Sequence, residues 1–341
     1  MTDTRVLPVF HGLPDDMTGA VFMDENGQLQ LSLPGTAVFM KRIPPALKAR
    51  MPRVYIQADQ PLTLPASAKG KPVVNYVADP DRCSNSLVQI MRAVQALEAP
   101  CFNSPYAVAR TGRHAIAKAL AGVPGLLVPR TELLEARSAA DLVRLIDAAN
   151  LRYPLLLRSP GMHVGATMSR VDSPDEVDAA VYNMPMLGRG TYVTEFHDYR
   201  DPDGCHRKMR LVVVGRQVFL RHFVVAGGWH VHVADRLRED DPEETRMLDE
   251  FPASLPMDAT AIALKIADII GLDYFGIDCS PRPDGQLLLF EANAAMDILR
   301  RQDSTLRQAW WDRKIDAMYD ALAALLNSPE QWRHQGVRAT Q

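Results

Sequence analysis

No stretch of this 341-residue chain reaches the ~18 uncharged apolar residues that a membrane-spanning helix needs, which leaves no candidate span. Charge of one sign is also in short supply. Lys and Arg number 38 against 41 Asp and Glu, a net charge of -3, and this balance excludes the broad basic face of a nucleic-acid binder. Cysteine is scarce: the four, at 83, 101, 205 and 279, have no short paired spacing, so they form neither a disulfide frame nor a zinc knuckle and read as reduced thiols. The opening residues lack a cationic lead ahead of an apolar core, so no export signal is expected and the sequence reads as cytoplasmic. There is no internal repeat or low-complexity segment, and no obvious Ser-His or Cys-His pair for covalent catalysis.

What is present is a globular chain, 47% hydrophobic and 23% charged, long enough for two or three domains. Short apolar runs at 20–24, 54–57 and 73–78 are expected as buried strands of a small α/β unit. Apolar residues at 87, 90, 91, 94 and 97 have the spacing of an amphipathic helix, and a second helical pattern runs over 105–121. Ser138-Ala-Ala-Asp141 is a capping pattern ahead of a helix reaching about residue 150. Residues 153–158 read as a strand ending on Arg158. A turn carrying His163 and Gly165 follows, then a return strand over 166–171 and a helix start at Ser173-Pro-Asp-Glu176. Bare backbone N–H groups in such a glycine turn can close over phosphate oxygens, with Arg158 as counter-charge.

Strands are expected at 191–196, 207–214 and 218–225, and alternation puts Lys208 and Arg210 on one face. His230 and His232 would share a strand face, with no third metal ligand at a telling spacing, and residues 240–244 read as an exposed acidic segment. A helix over 259–270 is closed by Gly271, and another amphipathic helix begins near 308. Between them, residues 274–293 read as two strands folded about Asp284-Gly285. With Pro283 opposite Gln286, the count along both arms sets Asp278 opposite Glu291 and Asn293 on the same face as Glu291. Two carboxylates facing across a strand pair repel, and a hard cation such as Mg2+ or Mn2+ between them is the simplest compensation.

Taken in order, these elements resemble the ATP-grasp superfamily of ATP-dependent carboxylate ligases. The resemblance covers about residues 70 to 300 and is most specific in the Gly-Ile-Asp278, loop, Phe-Glu291-Ala-Asn293 pattern. It implies an α/β (α+β) fold with an N-terminal unit over 1–105, a small subdomain with a phosphate-covering flap over 106–190, and a C-terminal subdomain over 191–341. ATP and Mg2+ (or Mn2+) are the implied cofactors. Asp278, Glu291 and Asn293 would hold the metal. Arg158 stands where the family's flap-strand lysine contacts phosphates, and Arg113 near a second lysine. His163 and Gly165 fall in the covering loop, Glu195 and Phe196 at the adenine hinge through main-chain contacts, and Lys208 near ribose or phosphates. Arg210 and Arg221 would act catalytically at the transferring γ-phosphate. After Asn293 the family's small Pro-Gly turn is replaced by Ala-Ala-Met-Asp297, which points to an unusual acceptor. The implied reaction joins a small-molecule or peptide carboxylate to an amine through an acyl phosphate. A small-molecule kinase and a non-catalytic nucleotide-binding module are the alternatives, and a homodimer is left open.

Overall fold

A computed structural model describes residues 5–336 except 24–26, 42, 61, 63, 163–167, 183, 185–189, 239–240, 256, 297 and 299–305. His163 and Gly165 therefore lie outside the described residues. The first sheet is parallel, in the order Arg53–Ile56, Val9–Gly12, Val73–Asn75, Cys101–Phe102. Helix Ser84–Leu97 covers it with Leu87, Ile90, Val94 and Leu97, the face that the sequence periodicity gives. Asp15, in the loop after the first strand, accepts from the amides of Ser84 (3.1 Å) and Asn85 (3.1 Å), and so caps that helix. The run at 20–24 departs from expectation. Ala20–Met23 joins no buried sheet but pairs with Leu29–Ser32 in a two-stranded ribbon exposed to solvent, because an apolar run encodes extended backbone without saying what will cover it.

The large sheet has the order Gln217–Ala226, His206–Val214, Tyr274–Pro281, Leu287–Asn293, Leu126–Leu127, antiparallel except for the last pair. Helices Ala259–Ile270 and Leu306–Leu326 pack on its first two strands. Their buried faces merge with those of the parallel sheet into one core that runs from Leu7 to Trp332. Gly271 ends the first of these helices in the left-handed region at φ 75°. The helical pattern over 105–121 is broken into Pro105–Val108 and Arg113–Leu120, which makes Arg113 the first residue of a helix aimed at Glu291. The segment read as exposed and acidic holds helix Pro242–Glu250. Asp241 caps it, and buried Glu244 accepts from Arg236 (2.9 Å) and from the Phe223 amide (3.3 Å).

A third sheet is antiparallel, in the order Ser169–Val171, Leu155–Arg158, Thr191–Glu195, Thr131–Leu134. Helices Ala139–Ala148 and Val177–Tyr182 complete a separate core around Leu142, Ile146, Leu155, Leu157, Val177 and Val193. This lobe takes in Thr191–Glu195, whereas Ile116 and Leu120 of helix Arg113–Leu120 belong to the main core.

Candidate active site

Strand alternation turns two sets of side chains toward each other. In the small sheet Leu155 and Leu157 enter the lobe's core, so Leu156 and Arg158 face outward, and Tyr192 and Thr194 do so around Val193. In the large sheet Met209 and Leu211 are buried in the main core, while Lys208 and Arg210 point the other way. The two outward sets line one cavity of about 660 Å³.

The hairpin over 274–293 reaches its geometry by an unexpected route. Pro281 pairs with Leu287 and the Arg282 amide donates to Gln286 O (2.9 Å), one residue out of step with the register counted from the sequence. A bulge then takes up that residue. Cys279 faces Leu289 but Asp278 faces Glu291, with Phe290 as the extra residue, and Gly276 faces Asn293. Gly276 leaves room there for the Met296 side chain, which a Cβ would force to shift.

Buried Asp278 accepts from Lys208 Nζ (2.8 Å), Arg210 Nε (2.6 Å) and Arg210 Nη2 (2.9 Å). Burial pushes its carboxyl upward, but Arg210 and Lys208 outweigh this and hold it well below the carboxylate range. Glu291 accepts from Arg113. Its carboxyl is likewise held down, with burial and Asp278 acting upward and Arg113, Arg158 and Lys208 prevailing. Arg158 bonds the Met162 carbonyl through Nε (3.2 Å) and Nη2 (2.7 Å), at the root of the segment after its strand. Burial, then the neighbouring Arg113, push the Arg158 guanidinium down to about 10. The cavity thus gathers four cations, Arg113, Arg158, Lys208 and Arg210, around two facing carboxylates. Such an excess suits a polyanion.

The donor set of the facing strands also fits a hard divalent cation: two carboxylates and the Asn293 carboxamide, whose oxygen accepts from the Ala295 amide (2.9 Å). Among the described residues no group of three or more His, Cys, Asp or Glu gathers as a metal cluster. Residues 228–232 form no strand. His232 instead caps the turn Val233–Asp235, accepting from the Ala234 amide (3.2 Å), so the shared strand face expected for His230 and His232 does not exist.

Glu195 and Phe196 line the far end of the cavity, but their amides donate to Arg130 O (2.9 Å) and Pro154 O (2.8 Å). Any main-chain contact to a ligand from these two residues therefore falls to their carbonyls. Arg221 is not brought to the cavity. It is the extra residue of a second bulge, between Leu220, opposite Leu211, and His222, opposite Arg210, and its guanidinium lies 5.0 Å over the Trp311 ring. Sequence reasoning named Phe196 but missed the other aromatic residues of this wall, Tyr199 and Trp229. Trp229 meets the Phe196 ring edge-on at 5.6 Å, and the Tyr199 hydroxyl donates to the Trp229 carbonyl. The Trp229 side chain was the available signal, set in a segment read as a strand.

No family model matches the sequence. Two solved structures superpose along almost the whole chain: the VanG D-Ala:D-Ser ligase of Enterococcus faecalis (TM-score 0.54, 13% identity, 94% of this chain and 99% of that one) and a RimK domain ATP-grasp protein of Sphaerobacter thermophilus (TM-score 0.50, 16% identity, 94% and 99%). The chain has the ATP-grasp fold. The sequence also resembles a coenzyme gamma-F420-2:alpha-L-glutamate ligase of Methanococcus maripaludis, at 24% identity over 173 residues, 50% of this chain and 54% of the relative. A second such ligase, from Methanocaldococcus jannaschii, matches at 24% over 166 residues. The chain spans about half the length of the curated relatives it matches.

Proposed function

We propose that this ATP-grasp protein is an ATP-dependent ligase that activates a substrate carboxylate as an acyl phosphate and joins it to an amine, releasing ADP and phosphate. The observation that carries the reading is the cavity with four cations around the Asp278–Glu291 pair. The names of the two curated relatives and of the VanG structure, each a ligase, agree with it.

In this reading Arg158, Lys208 and Arg113 bind the nucleotide phosphates, and Arg210 neutralises charge at the transferring γ-phosphate. Asp278, Glu291 and Asn293 would hold Mg2+ or Mn2+, which when bound would screen the phosphate oxygens. Phosphate oxygens compete with Asp278 and Glu291 for the same cations, so nucleotide binding frees carboxylate oxygens for the metal. A carboxylate oxygen of the substrate bonds to the γ-phosphorus as the bridging oxygen departs with ADP. The amine nitrogen then bonds to the acyl carbon, the carbon–oxygen bond to phosphate breaks, and the amine gives up a proton. The chain contributes position and charge neutralisation.

Thermal unfolding with and without magnesium-ATP tests the site. At one hundred times the dissociation constant, stabilisation of about 2.7 kcal/mol is expected, a rise of several degrees that Glu291→Ala abolishes. ADP release that requires an acid and an amine together identifies the ligase. No shift at millimolar nucleotide refutes the site, and ADP release with a hydroxyl compound alone refutes the ligase.

A further inference from the structure

Two consecutive residues of the main body, Asp81 and Arg82, reach across to the small-sheet lobe. They lie in the turn between strand Val73–Asn75 and helix Ser84–Leu97, where the Asp81 amide donates to Asp79 Oδ1 (2.8 Å). Asp81 Oδ1 accepts from the hydroxyl of buried Tyr192 (2.8 Å) and Asp81 Oδ2 from the Gly161 amide (3.3 Å), while Arg82 Nη1 donates to the Gly161 carbonyl (3.2 Å). Gly161 admits this approach. Its φ of 69° lies in the left-handed region, and a Cβ there would meet Arg82 Cγ at 2.8 Å. Burial, then Asp79, push the Asp81 carboxyl upward, so its place between these donors is not one that solvation favours.

Both lobe contacts lead to Arg158. Tyr192 stands opposite Arg158 in the strand register, and Gly161 precedes Met162, to whose carbonyl Arg158 donates. Tyr192 also lies against the start of helix Arg113–Leu120. Its hydroxyl oxygen is 3.3 Å from the place a Cβ would take on Gly112, and its ring stacks on His114 at 5.9 Å. Arg113, from the body, and Arg158, from the lobe, meet at the cavity as like charges, which without a tie would push the two apart. We propose that Asp81 is a positioning residue for nucleotide binding: through Tyr192 and Gly161 it holds Arg158 at a fixed spacing from Arg113, so that two guanidinium groups grip one polyphosphate. The proposal rests on the reading of the cavity as a nucleotide site. Asp81 itself is assigned no contact with the nucleotide.

Titration calorimetry of the full chain with magnesium-ATP, which needs no acceptor, tests this as a double-mutant cycle. Asp81→Ala is expected to weaken binding about tenfold, since two hydrogen bonds to a carboxylate go with it. Asp81→Asn keeps an acceptor for Tyr192 and weakens binding less. Arg158→Ala also weakens binding, and adding Asp81→Ala to it costs no more than about twofold further, because the group that Asp81 positions is already gone. A merely structural Asp81 would give losses that add. Thermal melting checks that each variant is folded; if Asp81→Ala is not, Tyr192→Phe, which removes only a hydroxyl, takes its place in the cycle. Additive losses, or full affinity in the folded single variants, overturn the proposal while the nucleotide site stands. A natural chain that binds no magnesium-ATP overturns the nucleotide site and the proposal together.

Discussion

Asp278 has both carboxylate oxygens committed to Lys208 and Arg210, and Glu291 faces it with Arg113 attached. Both acids titrate below their ordinary range, so the native state binds fewer protons than the unfolded chain on acidification. Their contribution to stability is present above the unfolded carboxylate pKa of about 4 and is lost as pH falls below it toward the depressed values. Asp278→Asn leaves two cations short of a partner and is expected to cost about 3–5 kcal/mol at neutral pH, a gap that narrows toward pH ~3 in urea titrations. A gap of constant size across that range rules out the ion cluster as its source. The two arginines assigned to the γ-phosphate separate here. Arg210→Ala is expected to lower kcat by about 10²-fold. Arg221→Ala removes a contact with Trp311 worth ~0.5–1 kcal/mol and leaves kcat unchanged, as steady-state assays will report.

At the scale of elements, alternation was legible and bulges were not. Leu155 and Leu157 against Leu156 and Arg158, or Met209 and Leu211 against Lys208 and Arg210, are assigned to faces by period two alone, and that brought most of the cavity lining together. The bulges at Phe290 and Arg221 depend on how partner strands fit, which no single strand's sequence carries. One bulge compensated the miscounted turn and kept Asp278 opposite Glu291. The other took Arg221 away from the cavity. Helix Pro242–Glu250 was hidden for a related reason: Glu244 looks solvated until Arg236 and the Phe223 amide are found beside it. Gly276 is the tightest point of the hairpin. Gly276→Ala is expected to cost about 1–3 kcal/mol in denaturant unfolding and to push Met296 into the cavity, with weaker nucleotide binding.

Among the described residues of the whole molecule, the two largest hydrophobic cores are separate. The parallel and large sheets share one core and are tied through buried Asn103, whose side chain accepts from the amides of Asp273 (2.9 Å) and Tyr274 (2.8 Å) and donates to Tyr274 O (2.8 Å). Asn103→Ala is expected to destabilise the protein by on the order of 3 kcal/mol, because two buried amides lose their acceptor. The small sheet has its own core. Hydrogen exchange is expected to show residues 131–195 opening at a lower free energy than the main body, with magnesium-ATP raising protection in both faces of the cavity. Uniform protection across the chain contradicts this division.

The lobe leaves and rejoins the main body at neighbouring points: Thr131 pairs with Thr194, and the Glu195 amide donates to Arg130 O. Topologically it is an appendage whose two stalks touch. Excision between residues 130 and 196 with a short splice should therefore leave the remaining body able to fold while the proposed nucleotide affinity disappears, and a lobe from a protein of the same fold is expected to graft at the same two stalks. On the proposed ligase reading the lobe is an exchangeable part, whereas Asp278 and Glu291 belong to the body that carries it.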